Sequence, residues 1–206
     1  VWYLRNHNDG GEAEAAFAWG SAGDLPVVGD WDGNGSDTIG VFRRGVWYLR
    51  NANSAGGVDA TIPWGSPGQL PVVGDWDGNG SDTIGVFHNG TWQLRNSNSP
   101  GGVDATIAWG AAHHLPVVGD WDGNGNDTIG VFENGTWRLR NSNSPGGVDA
   151  TIAWGWPGDI PVVGDWDGNR STTLGIRRGT AFYLRNANSP GNIDGAFNWG
   201  RPTTIG

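Results

Sequence analysis

The chain has 206 residues and a formal net charge of −9 at pH 7, with neither cysteine nor methionine. This length allows one domain with a sizeable core. The negative charge argues against nucleic acid as a partner, because phosphate binding requires clustered cations. No apolar run approaches the roughly 18 residues that cross a bilayer, so we expect no membrane span. The 14 Trp, 38 Gly and 11 Pro residues favour short strands and tight turns over helices.

A unit of 45 residues recurs along the chain without insertions. Complete copies occupy residues 25–69, 70–114, 115–159 and 160–204, and residues 1–24 match the second part of a copy. A period of this length indicates one supersecondary unit that stacks on copies of itself. We therefore predict a single domain over residues 1–206, built from four full repeats and a half repeat.

Alternation and turn residues predict four strands in each unit, named a to d in chain order. In the first copy strand a is 25–29 and strand b is 38–42, and in the second copy strand c is 91–95 and strand d is 104–109. Four short antiparallel strands in a unit of this length are typical of a β-propeller blade. The predicted fold class is therefore an all-β propeller with four-stranded blades.

Two further features of the unit agree with a blade. Asn89 and Gly90 lie between strands b and c and suit a type I′ turn, because both turn residues need positive φ. The half repeat and the first three full repeats also carry a Trp pair, such as Trp92 and Trp109, which we expect to fill the space between neighbouring blades.

An aspartate-rich loop joins strands a and b in every copy. Alternate oxygen-bearing residues in a tight loop point to a common centre, and Ca²⁺ takes about six to eight oxygen ligands. In the first copy the predicted ligands are Asp30, Asp32, Asn34 and Asp37. The corresponding ligands of the other copies are Asp75, Asp77, Asn79, Asp82, Asp120, Asp122, Asn124, Asp127, Asp165, Asp167 and Asn169. We predict up to four structural Ca²⁺ ions, bound most weakly by the Asp165 loop.

This loop is not an EF-hand, because its twelfth position is Val41 rather than Glu. The run 27–35 followed by 38–42, with its counterparts in the other copies, resembles the FG-GAP/VCBS repeats of integrin-α-type propellers and bacterial secreted proteins. The resemblance implies that the acidic loop binds Ca²⁺ and that strand a is innermost. Two departures stand out: Thr38 occupies the usual place of the last acidic ligand, and the fourth loop has Arg170 and Thr172 in place of Gly and Asp.

The number of blades is open from the sequence. There are five c–d pairs and four a–b pairs, so a four-bladed ring leaves one c–d hairpin spare and a five-bladed ring lacks one a–b pair. A spare hairpin has open edges that pair readily with another chain. We therefore consider a homo-oligomer or a head-to-tail array as a hypothesis.

The other candidate residues are interpreted mainly as architecture. Arg95 of strand c and its counterparts are expected to pair with Asp104 and the other recurrent acids of strand d. The Asn-x-Asn loops after strand c are suited either to turns or to sugar contacts. The pair His113-His114 is interpreted as an inter-strand loop in preference to a transition-metal site. No catalytic set stands apart from the repeats, so we predict that the chain is not an enzyme.

The leading functional hypothesis is a secreted, Ca²⁺-binding β-propeller that mediates recognition or adhesion through a glycan or protein ligand. The alternative is a structural protein that forms arrays or filaments through its unpaired half repeat. A glycan-active enzyme is the third possibility. The extracellular location follows from the resemblance, and a chain that starts at Val1 agrees with a processed product.

Overall fold

The structure is a computed structural model that describes residues 1–200, which form eighteen β-strands and no helix. The first two strands are β1 (Trp2–Leu4) and β2 (Ala15–Phe17). The next eight are β3 (Leu25–Gly29), β4 (Thr38–Arg43), β5 (Val46–Leu49), β6 (Ala60–Pro63), β7 (Leu70–Gly74), β8 (Thr83–His88), β9 (Thr91–Leu94) and β10 (Ala105–Ala108). The last eight are β11 (Leu115–Gly119), β12 (Thr128–Glu133), β13 (Thr136–Leu139), β14 (Ala150–Ala153), β15 (Ile160–Gly164), β16 (Thr173–Arg178), β17 (Ala181–Leu184) and β18 (Gly195–Asn198). No helix in this range is long and apolar enough to cross a membrane.

Strands β3 to β18 form four antiparallel sheets of four strands, each in chain order. These sheets are blade 1 (β3–β6), blade 2 (β7–β10), blade 3 (β11–β14) and blade 4 (β15–β18). The first strands of successive blades contact one another, β3 with β7, β7 with β11 and β11 with β15, so they are the innermost strands. The predicted all-β propeller of four-stranded blades is confirmed, and the predicted strand bounds agree with the observed ones to within one residue at each end.

The turn between the second and third strands has the predicted conformation. Asn89 has a φ of 49° and Gly90 a φ of 78°, as a type I′ turn requires. The turn sets the register in which Phe87 lies opposite Trp92. Their rings pack at a centroid distance of 4.9 Å, so the turn delivers the largest side chain of the blade into the core.

The hydrophobic core lies between blades, as the Trp pairs predicted. Trp92 is fully buried, and its indole nitrogen donates a hydrogen bond to the Trp109 carbonyl at 3.0 Å. The cluster around it includes Ile129 and Val131 of blade 3. Replacing such a Trp by Ala costs about 3 to 5 kcal/mol, and the loss would be shared by two blades.

Strands β1 and β2 form a separate two-stranded sheet, the half unit, in which Trp2 lies opposite Phe17. The half unit lies between blade 4 and blade 1. A Cβ added at Gly20 would lie 3.2 Å from Val41 of blade 1, which is the relation that Gly65 has to Val86 of blade 2 at 3.3 Å. On the other side, a Cβ at Gly10 would lie 3.0 Å from the Asn198 carbonyl oxygen of blade 4. The two terminal hairpins therefore occupy different places in the ring.

Candidate functional site

Each acidic loop folds around its first aspartate. In blade 1, Asp30 is buried, and its carboxylate accepts the backbone amides of Asn34 at 3.0 Å and Gly35 at 2.7 Å. The first aspartates of the other three loops accept the corresponding two amides. This aspartate therefore shapes the turn, whatever else it binds.

The last aspartate of the loop contacts the preceding blade. The Asp82 carboxylate accepts the backbone amide of Asp30 at 2.8 Å, and the Asp82 amide donates to the Asp30 carbonyl at 2.8 Å. In blade 4 the Thr172 hydroxyl accepts the Asp120 amide at 3.1 Å in the same way. The substitution that weakens the predicted metal site thus preserves the contact between blades.

The last aspartates of the loops lie in a strongly perturbed electrostatic environment. Burial, helped by the negative charges of Asp127 and Asp37, raises the pKa of Asp82 to about 7 despite the lowering effect of the hydrogen bond from the Asp30 amide. Burial likewise raises the pKa of Asp127 to about 6. Asp82 and Asp127 are therefore harder to ionise than exposed aspartates, and ionisation of one makes ionisation of the other less favourable.

Most of the predicted Ca²⁺ ligands are exposed in this geometry. The second loop aspartates and the alternating asparagines are exposed: Asp32, Asp77, Asp122, Asp167, Asn34, Asn79, Asn124 and Asn169. Within residues 1–200, no acidic loop brings ligand oxygens of three different aspartates within 4.8 Å of one another. Ca²⁺ binding by these residues stays a prediction.

The recurrent Arg of the third strand holds the loop that follows it. Arg95 is buried and donates to the carbonyl oxygens of Ser99 at 2.6 Å and Pro100 at 3.1 Å. Its distance to the Asp104 carboxylate is 3.8 Å, and Asp104 accepts the Asn96 amide instead. The expected Arg–Asp ion pair is present but longer, because the guanidinium N–H groups donate their short hydrogen bonds to the carbonyl oxygens of the loop.

The Asn-x-Asn loops also serve the architecture. The Asn98 side chain donates to the Asp82 carbonyl at 2.7 Å, which ties this loop to the acidic loop. Asn143 and Asn188 make the same bond in blades 3 and 4. The amide oxygens of these three residues are buried without a hydrogen-bond donor among the described residues.

Chemical variation between the copies is concentrated at the blade junctions, at the end of the blades opposite the acidic loops. The loop that enters a blade starts with Ser21, Ser66, Ala111 or Trp156 and ends with Asp24, Gln69, His114 or Asp159. At the same end of the blade, the second strand carries Arg43, His88, Glu133 or Arg178. The neighbouring position of the third strand carries Tyr48, Gln93, Arg138 or Tyr183. The junctions before blades 1 and 4 share Asp, Arg and Tyr at these positions and differ in Ser21 against Trp156, whereas the junctions before blades 2 and 3 each carry a different polar set.

The junction of blades 3 and 4 forms a cleft of about 430 Å³, which we name the Trp156 cleft. Trp156 is 65% exposed, although a large aromatic ring is normally buried. The Arg178 guanidinium carbon lies 3.9 Å from the Trp156 ring centroid and 5.4 Å from that of Tyr183. Asn192 and Ile193 complete the opposite side of the cleft.

A buried aspartate fixes this arrangement. The Asp159 carboxylate accepts two hydrogen bonds from Arg178, at 2.7 and 2.8 Å, and one from the Trp156 amide at 2.7 Å. Burial opposes ionisation, but the bonds from Arg178 and Trp156 hold the pKa of Asp159 below its ordinary value. The cleft is therefore preorganised by a bidentate ion pair.

The junction of blades 2 and 3 brings His113, His114 and Glu133 within 4.8 Å of one another. His114 Nδ1 accepts the Ala111 amide at 3.0 Å, so its proton lies on Nε2, 3.3 Å from Glu133. A metal at that nitrogen would have to displace this proton and break the Ala111 contact. The arrangement therefore favours the predicted inter-strand loop over a metal site.

The Trp156 cleft was missed by the sequence prediction, which treated the tryptophans as core residues. The cleft could have been found by comparing the repeats at one position, where Trp156 stands in place of the Ser66 and Ala111 of the other repeats. A change from a small residue to a large aromatic one, at a position that tolerates small residues, indicates a surface role. The partners Arg178 and Tyr183 recur in blade 1 as Arg43 and Tyr48, so Trp156 is the residue that distinguishes this junction from that of blade 1.

No family model matches the chain, and no curated protein sequence matches it. Among solved structures, the chain is similar to one described as the structural basis of specific recognition of non-reducing terminal N-acetylglucosamine by an Agrocybe aegerita lectin. The TM-score is 0.52 at 18% identity, and the match covers 83% of this chain. The chain spans about half, 51%, of the lectin chain. This similarity shows a shared propeller fold.

Proposed function

We propose that the chain is a recognition module that binds a glycan in the Trp156 cleft. The observation that carries the proposal is the exposed Trp156 ring stacked on Arg178, which is itself held by the buried Asp159. A sugar ring has an apolar C–H face that packs on an indole and hydroxyl groups that bond to guanidinium and amide groups. The fold similarity to a lectin that recognises terminal N-acetylglucosamine supports this class of ligand.

A glycan suits the cleft better than a protein ligand does. Its volume of about 430 Å³ is in the range of small-molecule pockets, about 300 to 1,000 Å³. A stable protein interface instead uses about 800 Å² on each partner. We therefore propose binding without catalysis, in which Trp156 and Tyr183 supply apolar surface and Arg178 and Asn192 supply hydrogen bonds.

A glycan array followed by calorimetry tests the proposal. We expect one class of terminal sugar to bind at one site per chain, and we expect Trp156→Ala to weaken binding at least tenfold. This variant should fold, because Ala111 already occupies the equivalent position. Ser66→Ala, at the junction of blades 1 and 2, is the matched control and should bind as the parent chain does. The absence of any glycan above background, or full affinity in Trp156→Ala, would contradict the proposal.

The FG-GAP/VCBS resemblance supports two further proposals, secretion and a structural Ca²⁺ ion at the acidic loops. The buried amide oxygens of Asn98, Asn143 and Asn188, which lack a donor among the described residues, lie beside these loops. An orphaned acceptor is costly when buried, and a cation or a water molecule would satisfy it. The ion would clamp the first two strands of a blade.

A further inference from the structure

The ring lacks an inner hairpin between blade 4 and the half unit. Within residues 1–200, the third and fourth strands of a unit occur five times, but the first and second strands occur four times. A space of about 1240 Å³ lies at this place, which we name the gap. Its walls include Tyr3 and Ala16 of the half unit, Pro26 of blade 1 and Asn198 of blade 4.

One edge of the half unit is unpaired among the described residues. In blade 2 the third strand, β9, pairs with both β8 and β10, whereas its counterpart β1 pairs with β2 alone. Trp2 is half-buried whereas its counterpart Trp47 is fully buried, and Tyr3 is 57% exposed whereas its counterpart Tyr48 is half-buried. The open side of β1 is thus a template for a second strand.

Two polar groups in the acidic loops of blades 1 and 4, the blades on either side of the missing hairpin, lack the contact that their counterparts make. At the other junctions, a side chain in the acidic loop of one blade accepts a hydrogen bond from the backbone amide that follows the innermost strand of the preceding blade. Asp82 of blade 2, for example, accepts the Asp30 amide of blade 1. The described residues contain no such acceptor for the Asp165 amide and no such donor for the Asp37 carboxylate. The missing element must therefore offer one amide to Asp37 and one acceptor to Asp165.

We propose that the gap binds a β-hairpin of the same kind as residues 25–45, supplied by a polypeptide segment other than residues 1–200. Its second strand would extend the sheet at β1, and its Val and Ile side chains would bury the exposed faces of Trp2 and Tyr3. Its acidic loop would supply both missing polar contacts. A second intact copy does not suit the gap, because each inner hairpin that it donates would leave a new gap in the donor.

The probe is a synthetic peptide with the sequence of residues 70–90, added to the intact chain. We expect one peptide to bind per chain, with slower amide exchange at Tyr3 and a higher melting temperature. Methylating the backbone nitrogen of the peptide's Asp75 removes the amide intended for Asp37, and should weaken binding about tenfold. Asp82→Ala in the peptide removes the acceptor intended for the Asp165 amide and should have a similar effect.

Variants of the chain complete the test. Asp37→Ala should weaken the peptide about tenfold, whereas Asp37→Asn keeps an acceptor oxygen and should weaken it less. The Trp156→Ala variant should bind the peptide as the parent chain does. A failure of the glycan proposal can therefore be distinguished from a failure of the hairpin proposal. Any of three results would overturn the inference. These are equal binding by the methylated peptide, unchanged amide hydrogen exchange at β1, and self-association of the chain that the peptide does not affect.

Discussion

At the scale of single residues, the proposed glycan site and the architecture of the blades use different repeat positions. Arg95, Asp104 and Asn98 recur in the blades and hold loops together. Trp156 and Arg178 occupy positions where the copies differ, outside the buried core, so changes there leave the blade intact. The Trp156 cleft is therefore free to carry specificity, because its framework is fixed by residues that it does not use.

The lowered pKa of Asp159 predicts how the cleft responds to acid. The stabilisation from this ionised group is present above the ordinary Asp value of 3.8 and is lost as pH falls through the lower folded value. Below about pH 4 we expect both the free energy of unfolding and glycan binding to fall. Asp159→Asn should lose about 1 kcal/mol at pH 7 and show a flatter acid limb.

Urea unfolding between pH 3 and pH 7 measures this effect, and Glu12→Gln, which changes an exposed carboxylate, is the control. If Asp159→Asn keeps the acid slope of the parent chain, the ion pair with Arg178 is not its source.

At the scale of the element, the acidic loop combines two roles in one short segment. Its first aspartate closes the turn and its last residue reaches the preceding blade. The fourth loop keeps both contacts through Asp165 and Thr172, although Arg170 stands at a φ of 73° that favours glycine. The architectural role thus tolerates sequence changes that a Ca²⁺ site would not.

Chelation tests the predicted Ca²⁺ role of these loops. Free Ca²⁺ at about 100 times its Kd would add about 2.7 kcal/mol per site, so EDTA should lower the melting temperature by several degrees. Arg170→Gly combined with Thr172→Asp rebuilds the fourth loop and should raise the calorimetric stoichiometry by one ion. An identical melting curve in Ca²⁺ and in excess EDTA would count against the sites.

At the scale of the molecule, stability is shared between neighbouring blades. The cluster that contains Trp92 extends to Ile129 and Val131 of the next blade, so a single blade cannot bury its own hydrophobic surface. The four blades and the half unit are therefore one cooperative ring, interrupted at the gap. Each junction presents a surface cleft on the same backbone frame.

This equivalence of the junctions predicts that the cleft can be transplanted. Replacing Ala111 by Trp, His114 by Asp, Glu133 by Arg and Arg138 by Tyr copies the aromatic rings and the ion pair of the Trp156 cleft to the junction of blades 2 and 3. We expect glycan stoichiometry in calorimetry to rise from one to two per chain. Ala111→Trp alone is the control and should add no full site, because the ring would lack its guanidinium partner. A fourfold variant that folds and still binds one glycan would show that other residues define the site.

Much of the propeller could be predicted from the sequence because its signals are local. The turn at Asn89 and Gly90, the alternation in strands and the 45-residue period each depend on neighbouring residues, and repetition reinforced them. The predicted pairing of Arg95 with Asp104 is present at 3.8 Å, but the shorter hydrogen bonds of Arg95 to loop carbonyl oxygens were not predicted, because they depend on how the following loop folds. The Trp156 cleft was missed because Trp156 and Arg178 are about 20 positions apart in the chain and meet only when β15 pairs with β16.

The sequence by itself determined the blade and its four strands, because hydrophobic periodicity and turn chemistry act within one unit. The tertiary structure alone decided which surfaces the stacked units leave open. Closure of a ring depends on how blades pack against one another, so only the packed molecule showed that the half unit lies beside blade 4. For the same reason, only the packed molecule showed that the gap lacks one hairpin and that Trp156 faces solvent.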